Sequence, residues 1–160
     1  MKVLISSTIS KDLRKSVEIA KDLRLGIELS RIPNVINNKR PFEDVVNEMK
    51  DIFGSFKGPK SVHGLFFDLS IASIDEDIRD ISIKRYMQSL EVAKAIDAQT
   101  IVFHTGCEAT IKHRGFQQAY SEDSIKFWKN YITPFENANI IAIQENVSEN
   151  TYEPILKIVN

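Results

Sequence analysis

Apolar residues fall along this chain in two alternating patterns: short continuous runs of strand character, and longer stretches in which they recur at helical spacing. Residues 2–6 (KVLIS) are the first run, and after Ser10 come Leu13, Val17, Ala20 and Leu23 on one helical face. Residues 25–29 (LGIEL) form a second run, followed by a loop through Arg31 and Pro33 and a helix carried by Val45, Val46, Met49, Ile52 and Phe53. After the Gly58-Pro59 break, residues 61–67 (SVHGLFF) predict a third strand, and the polar segment 75–77 opens a helix bearing Ile83, Tyr86, Met87, Leu90, Ala93 and Ile96. Residues 100–104 (TIVFH) are the fourth strand, ended by Thr105-Gly106. A long polar loop, 107–120, then precedes a helix with Ile125, Trp128, Ile132 and Phe135 on one face, capped at Ser121. Residues 139–145 (NIIAIQE) are a fifth strand, and 152–159 begin a helix whose end at Asn160 carries no Gly or Pro.

Strands rich in Ile, Val, Leu and Phe that alternate with helices require a parallel sheet, because short loops cannot join parallel strands. The class is α/β. No linker, low-complexity tract or charge block divides the chain, so 1–160 is expected to be a single domain. With 42% hydrophobic and 27% charged residues it has the composition of an ordinary globular protein. Its 160 residues fall short of the roughly 250 that a closed eight-unit barrel uses. The formal net charge of -1 creates no global field for nucleic acid or an anionic membrane. The first ten residues lack the length and apolarity of a signal peptide or membrane span, which makes a cytoplasmic location the expectation. A single cysteine, Cys107, forms no internal disulfide and fits a reducing compartment.

The chemistry lies at the strand ends. His63, His104 and Glu145 occupy the C-terminal parts of the third, fourth and fifth strands, 41 residues apart in each case. In barrels and open parallel α/β folds these ends share one rim, so equivalent positions in successive units converge although they are distant in sequence. A histidine in an apolar strand is more often a satisfied buried residue than a ligand, but three coincident placements at one height argue for a site. Two imidazoles and a carboxylate suit zinc, manganese or iron, and such an ion could polarise a carbonyl or generate hydroxide. Glu28, ending the second strand, is a further inward carboxylate for substrate or for orienting an imidazole, with a structural ion pair as the alternative. Arg31 follows it in a loop that could contact an anionic or hydroxylated ligand. Lys112, His113 and Arg114 form a small basic cluster read as solvated loop.

The stretches VHGLFFDLSIAS, RDISIKRYMQSLEVAKAIDAQTIVFHTG and IQENVSENTYEP resemble the sugar phosphate isomerase/epimerase and endonuclease IV superfamily of xylose-isomerase-like barrels. The elements that carry the likeness are His63 ending the third strand, Ser82 opening a helix that runs to Ala93, the FHTG of residues 103–106 and the ENV of residues 145–147. The resemblance implies the N-terminal five βα units of a (β/α)8 TIM barrel, with helices outside the parallel sheet and three C-terminal units absent. In endonuclease IV-like members, residues matching His63, His104 and Glu145 bind catalytic metal ions. In the epimerase-like members, the glutamate matching Glu145 is a ligand of a single divalent ion (zinc, manganese or magnesium) beside which a ketose is enolised. Glu145 is therefore the expected catalytic residue, with Glu28, Arg31 and Asn146 as substrate contacts.

The remaining ligands of such a site normally come from later strands, so this chain by itself is expected to hold an incomplete site and to be inactive alone, with or without a bound metal. Five parallel strands cannot close a barrel, and the open apolar face calls for a cover: a homodimer, a partner chain or a lost C-terminal part. The leading functional expectation is a metal-dependent sugar or sugar-phosphate isomerase or epimerase, acting on a small sugar and not on a membrane. An endonuclease IV-like abasic-site nuclease is the alternative, disfavoured by near-neutral charge. A non-catalytic half-barrel serving as a binding or assembly module is the third.

Overall fold

The computed structural model describes residues 3–30, 32, 40–106, 114–145, 147 and 152–159. Five strands, β1 (Leu4–Ser6), β2 (Gly26–Leu29), β3 (Lys60–His63), β4 (Thr100–His104) and β5 (Ile141–Glu145), lie side by side in chain order. Every neighbouring pair is parallel. Between them run α1 (Leu13–Asp22), α2 (Phe42–Phe53), α3 (Glu76–Ile96), α4 (Arg114–Tyr131) and the short α5 (Thr133–Asn137), and α6 (Glu153–Val159) follows β5. This is the N-terminal part of a TIM barrel. Among the described residues, β1 and β5 each have one strand neighbour, so the sheet has two edges.

The strand pattern explains which face is packed. Ile27, Leu29, Val62, Ile101 and Phe103 are fully buried against the helices. Tyr86 of α3 stacks on Phe103 at 4.2 Å, while Trp128 of α4 and Phe135 of α5 close around the same ring at 5.7 and 5.9 Å. The opposite face is open: Leu4, Ile141 and Ile143 are exposed. Alternation places Ile141, Ile143 and Glu145 on that open face, and leaves Ala142 and Gln144 lining a groove with α4 and α6.

Several boundaries differ from the sequence expectation for identifiable reasons. β3 ends at His63 and does not continue to residue 67. The Gly64 N–H still donates to Val102 O at 2.8 Å, but the Leu65 N–H donates to Ser89 Oγ of α3, which lifts the backbone out of the ladder. Ser82 does not open a helix. It lies within α3, fully buried, where its hydroxyl donates to Ile78 O and accepts from the Ser70 N–H, and the cap is Asp75, whose carboxylate accepts from Asp77 and Ile78 N–H.

Ser121 likewise lies inside α4 and not at its start. The helix begins about two turns earlier, at Arg114, because Tyr120, Ser121 and Ser124 extend its buried face, with Gln118 donating to Glu122 one turn on. Ile132 and Phe135 do not share a single helix, because Pro134 has no N–H to continue the ladder and the chain restarts as α5. β5 begins at Ile141 and not at 139, since Asn139 sits at φ 54° and turns the chain into the strand. No helix among the described residues is long and apolar enough to cross a membrane.

Candidate metal centre

His63, His104 and Glu145 are the last residues of β3, β4 and β5. His104 lies opposite Glu145, whereas His63 lies opposite Val102, one two-residue step earlier along β4. The stagger still brings the three polar groups together on the open face at the C-terminal rim. The Nε2 atoms of the two histidines are 3.1 Å apart, and each lies 3.5 Å from Glu145 Oε2. Among the described residues these three form the one such group of His, Cys, Asp and Glu side chains.

The donor set fits a divalent cation. A circle through three atoms with these separations has a radius of about 2.0 Å, close to the ~2.0–2.2 Å at which imidazole nitrogen and carboxylate oxygen bind zinc. Three protein donors of this kind would hold a catalytic ion and leave a further position for water or substrate. The tautomer is also suitable: His63 Nδ1 lies 3.2 Å from Gly64 O, and a proton donated there leaves the Nε2 lone pair directed at the site. The histidines are mostly buried at 16% and 20% exposure, while Glu145, on an edge strand, is half exposed at 49%.

Three neighbours missed by sequence reasoning build this arrangement. Gly64 follows His63 where a side chain would meet the Phe103 ring 2.4 Å away. Tyr86, buried in α3, donates its hydroxyl to His104 O at 3.2 Å and so ties the end of β4 to the helix layer. Burial holds its phenol well above the ordinary tyrosine range. Phe66 lies against both imidazoles, 5.0 Å from His63 and 4.1 Å from His104 between ring centroids. The glycine directly after a strand-ending histidine was the one available signal.

Glu28 is on the same face but opposite Ser6 and Ser61, a full layer behind His63, or roughly 7 Å along the strands. It does not join the group of three. Arg31 and Asn146 lie outside the described residues, as do Cys107, Lys112 and His113.

Together the five parallel strands and the helices packed on one face of them define the N-terminal part of a TIM barrel. Among solved structures, the chain is similar to a D-tagatose 3-epimerase-like protein (20% identity, TM-score 0.77, covering 100% of this chain and 60% of that one). It is also similar to D-psicose 3-epimerase from Clostridium cellulolyticum H10 with D-tagatose (18%, TM-score 0.74, 99% and 59%). A third is the IolI protein with a bound zinc atom (15%, TM-score 0.74, 100% and 58%). The chain thus spans about three-fifths of the length of the structures it matches. No protein-family model matches the sequence. No curated protein matches it significantly.

Proposed function

We propose that this chain is the N-terminal part of a divalent-metal-dependent sugar or sugar-phosphate isomerase or epimerase, in which His63, His104 and Glu145 hold the ion. The convergence of the three donors within 3.5 Å of one another carries this reading. It is supported by the zinc bound in the IolI protein and by the D-tagatose of the Clostridium epimerase, both of the same fold. Zinc, manganese or magnesium bound there would supply Lewis acidity toward a sugar carbonyl.

The chain's own residues have separate tasks in this reading. His63 is oriented through Nδ1 so that Nε2 faces the site. Glu145 brings the anionic donor and, being half exposed, stands where a ligand can reach it. Glu28, one layer deeper, presents a carboxylate to substrate hydroxyls, with Arg31 and Asn146 as the further substrate contacts of this reading. Enolisation needs acid and base groups on two sides of one carbon. One side belongs to the remaining three βα units, so the 160-residue chain alone is expected to bind metal weakly and to turn over no ketose. A second copy, or a partner, then covers the open face.

The test is calorimetric titration of the full chain with zinc and with manganese, beside His63→Ala, His104→Ala and Glu145→Ala. One ion per chain is expected, with each substitution weakening it at least about tenfold. Absence of any stoichiometric ion, or affinities indifferent to all three changes, would sink the proposal. In that event a stable metal-free dimer would favour a binding or assembly module.

The pairing of two imidazoles with one carboxylate also suits an abasic-site nuclease, since by resemblance those members carry the same trio. Binding to an abasic duplex that weakens steeply with salt would decide for that alternative.

A further inference from the structure

We infer that Phe66 is a positioning residue for both histidines, setting the planes of the imidazoles so that their Nε2 atoms meet. A hydrogen bond through one ring nitrogen sets where that atom points but leaves the ring free to turn about the bond. Contact on a ring face removes that freedom. Phe66 supplies it to His104, over which its ring lies at 4.1 Å, tilted 33°, and braces His63 through an edge contact at 5.0 Å, inclined 61°. The two imidazoles stand nearly perpendicular, 79° apart, with centroids at 4.8 Å. Three rings in mutual contact leave one arrangement in which the Nε2 atoms are 3.1 Å apart.

Phe66 is itself held from behind. The backbone just before it is fastened to α3 by the Leu65 N–H donated to Ser89 Oγ, a buried hydroxyl that in turn donates to Arg85 O. Phe67 lies against the Phe66 ring at 4.1 Å, tilted 37°, while remaining 64% exposed, and so shields its outer side. The position of the ring is thus fixed by the helix layer. A support of this kind is worth about 10- to 100-fold in metal affinity when removed.

The inference rests on the metal reading of the trio, and the experiment separates the two. The full chain is compared with Phe66→Leu, with Phe66→Met, which keeps volume but not a flat face, and with Phe66→Tyr, which keeps the face. Two readouts are taken: zinc titration, and imidazole NMR of the metal-free chain, simplified by there being only three histidines. Leu and Met are expected to weaken zinc about 10- to 100-fold and to abolish the contacts between the His63 and His104 rings, with Tyr restoring both. Zinc affinity within twofold of wild type together with unchanged ring contacts in Leu or Met would overturn the inference. Should the wild-type chain bind no zinc, the metal reading fails by itself, and the ring contacts decide the role of Phe66: lost in Leu and Met they support it, retained they overturn it.

Discussion

Gly64→Ala tests how the strand end that carries His63 is made. A methyl built at Gly64 would lie 2.4 Å from two carbons of the Phe103 ring and 3.2 Å from Val102 O. Carbon atoms in contact prefer about 3.5–4.0 Å, so the overlap exceeds an ångström. The ring cannot yield by that much. It is fully buried, with Tyr86 stacked at 4.2 Å and Trp128 and Phe135 behind it. The end of β3 must therefore move outward, away from the Val102 carbonyl that receives the Gly64 N–H. Overpacking of this kind costs about 3 kcal/mol, the upper end of its usual range, equivalent to a fall of about 6–12 °C in Tm for a chain of this size. Displacing His63 also opens a donor triangle whose sides are 3.1 and 3.5 Å, and a donor set loosened by about 1 Å would no longer hold the ion proposed above. Urea and thermal unfolding, paired with zinc titration, measure both effects. Lys15→Ala at an exposed position of α1 is the control, expected to change stability by under about 0.5 kcal/mol. A Gly64→Ala chain as stable as that control, with zinc affinity intact, would refute the packing argument.

Tyr86→Phe removes the hydroxyl donated to His104 O and should cost about 1 kcal/mol in urea unfolding, the ordinary worth of a buried hydrogen bond. Because burial raises the Tyr86 phenol far above its unfolded value, that residue is neutral in both states below about pH 10. As pH rises beyond that point the unfolded phenol ionises and the folded one does not, so wild-type stability falls with pH and that of Tyr86→Phe falls less steeply. Parallel slopes from pH 8 to pH 11 would contradict this. On the open face, Ile141 is 64% exposed on an edge strand. Light scattering is expected to show the wild-type chain self-associated and Ile141→Lys monomeric, with only the wild-type unfolding midpoint rising with protein concentration. A monomeric wild type would count against a second copy as the cover.

Much of the architecture could be read from periodicity alone. β4 was delimited to the residue, and the five alternating units stood out, because strands buried on the helix side must be apolar and the crossover helices must show a face. His63, His104 and Glu145 were legible for the same reason: a polar residue ending an apolar strand, repeated at a fixed interval, marks a rim. Elsewhere a long-range partner overrode the local signal. The apolar run past His63 looked like strand, yet Ser89 of α3 claims the Leu65 N–H and ends it. Ser82 and Ser121 had the look of caps, and both are buried inside helices, where Ser82 binds the Ser70 N–H and Ser121 belongs to the packed face.

The sequence by itself determined the order of elements, the parallel sheet and the residues at its rim, since these follow from local pattern and chain connectivity. Only the tertiary structure decided that His63 reaches His104 despite a two-residue offset in register, that Glu28 stays a layer behind, and that Phe66, Gly64 and Tyr86 hold the imidazoles in place. Those outcomes depend on strand stagger and on ring packing between units some forty residues apart, which the spacing of residues along the chain does not specify.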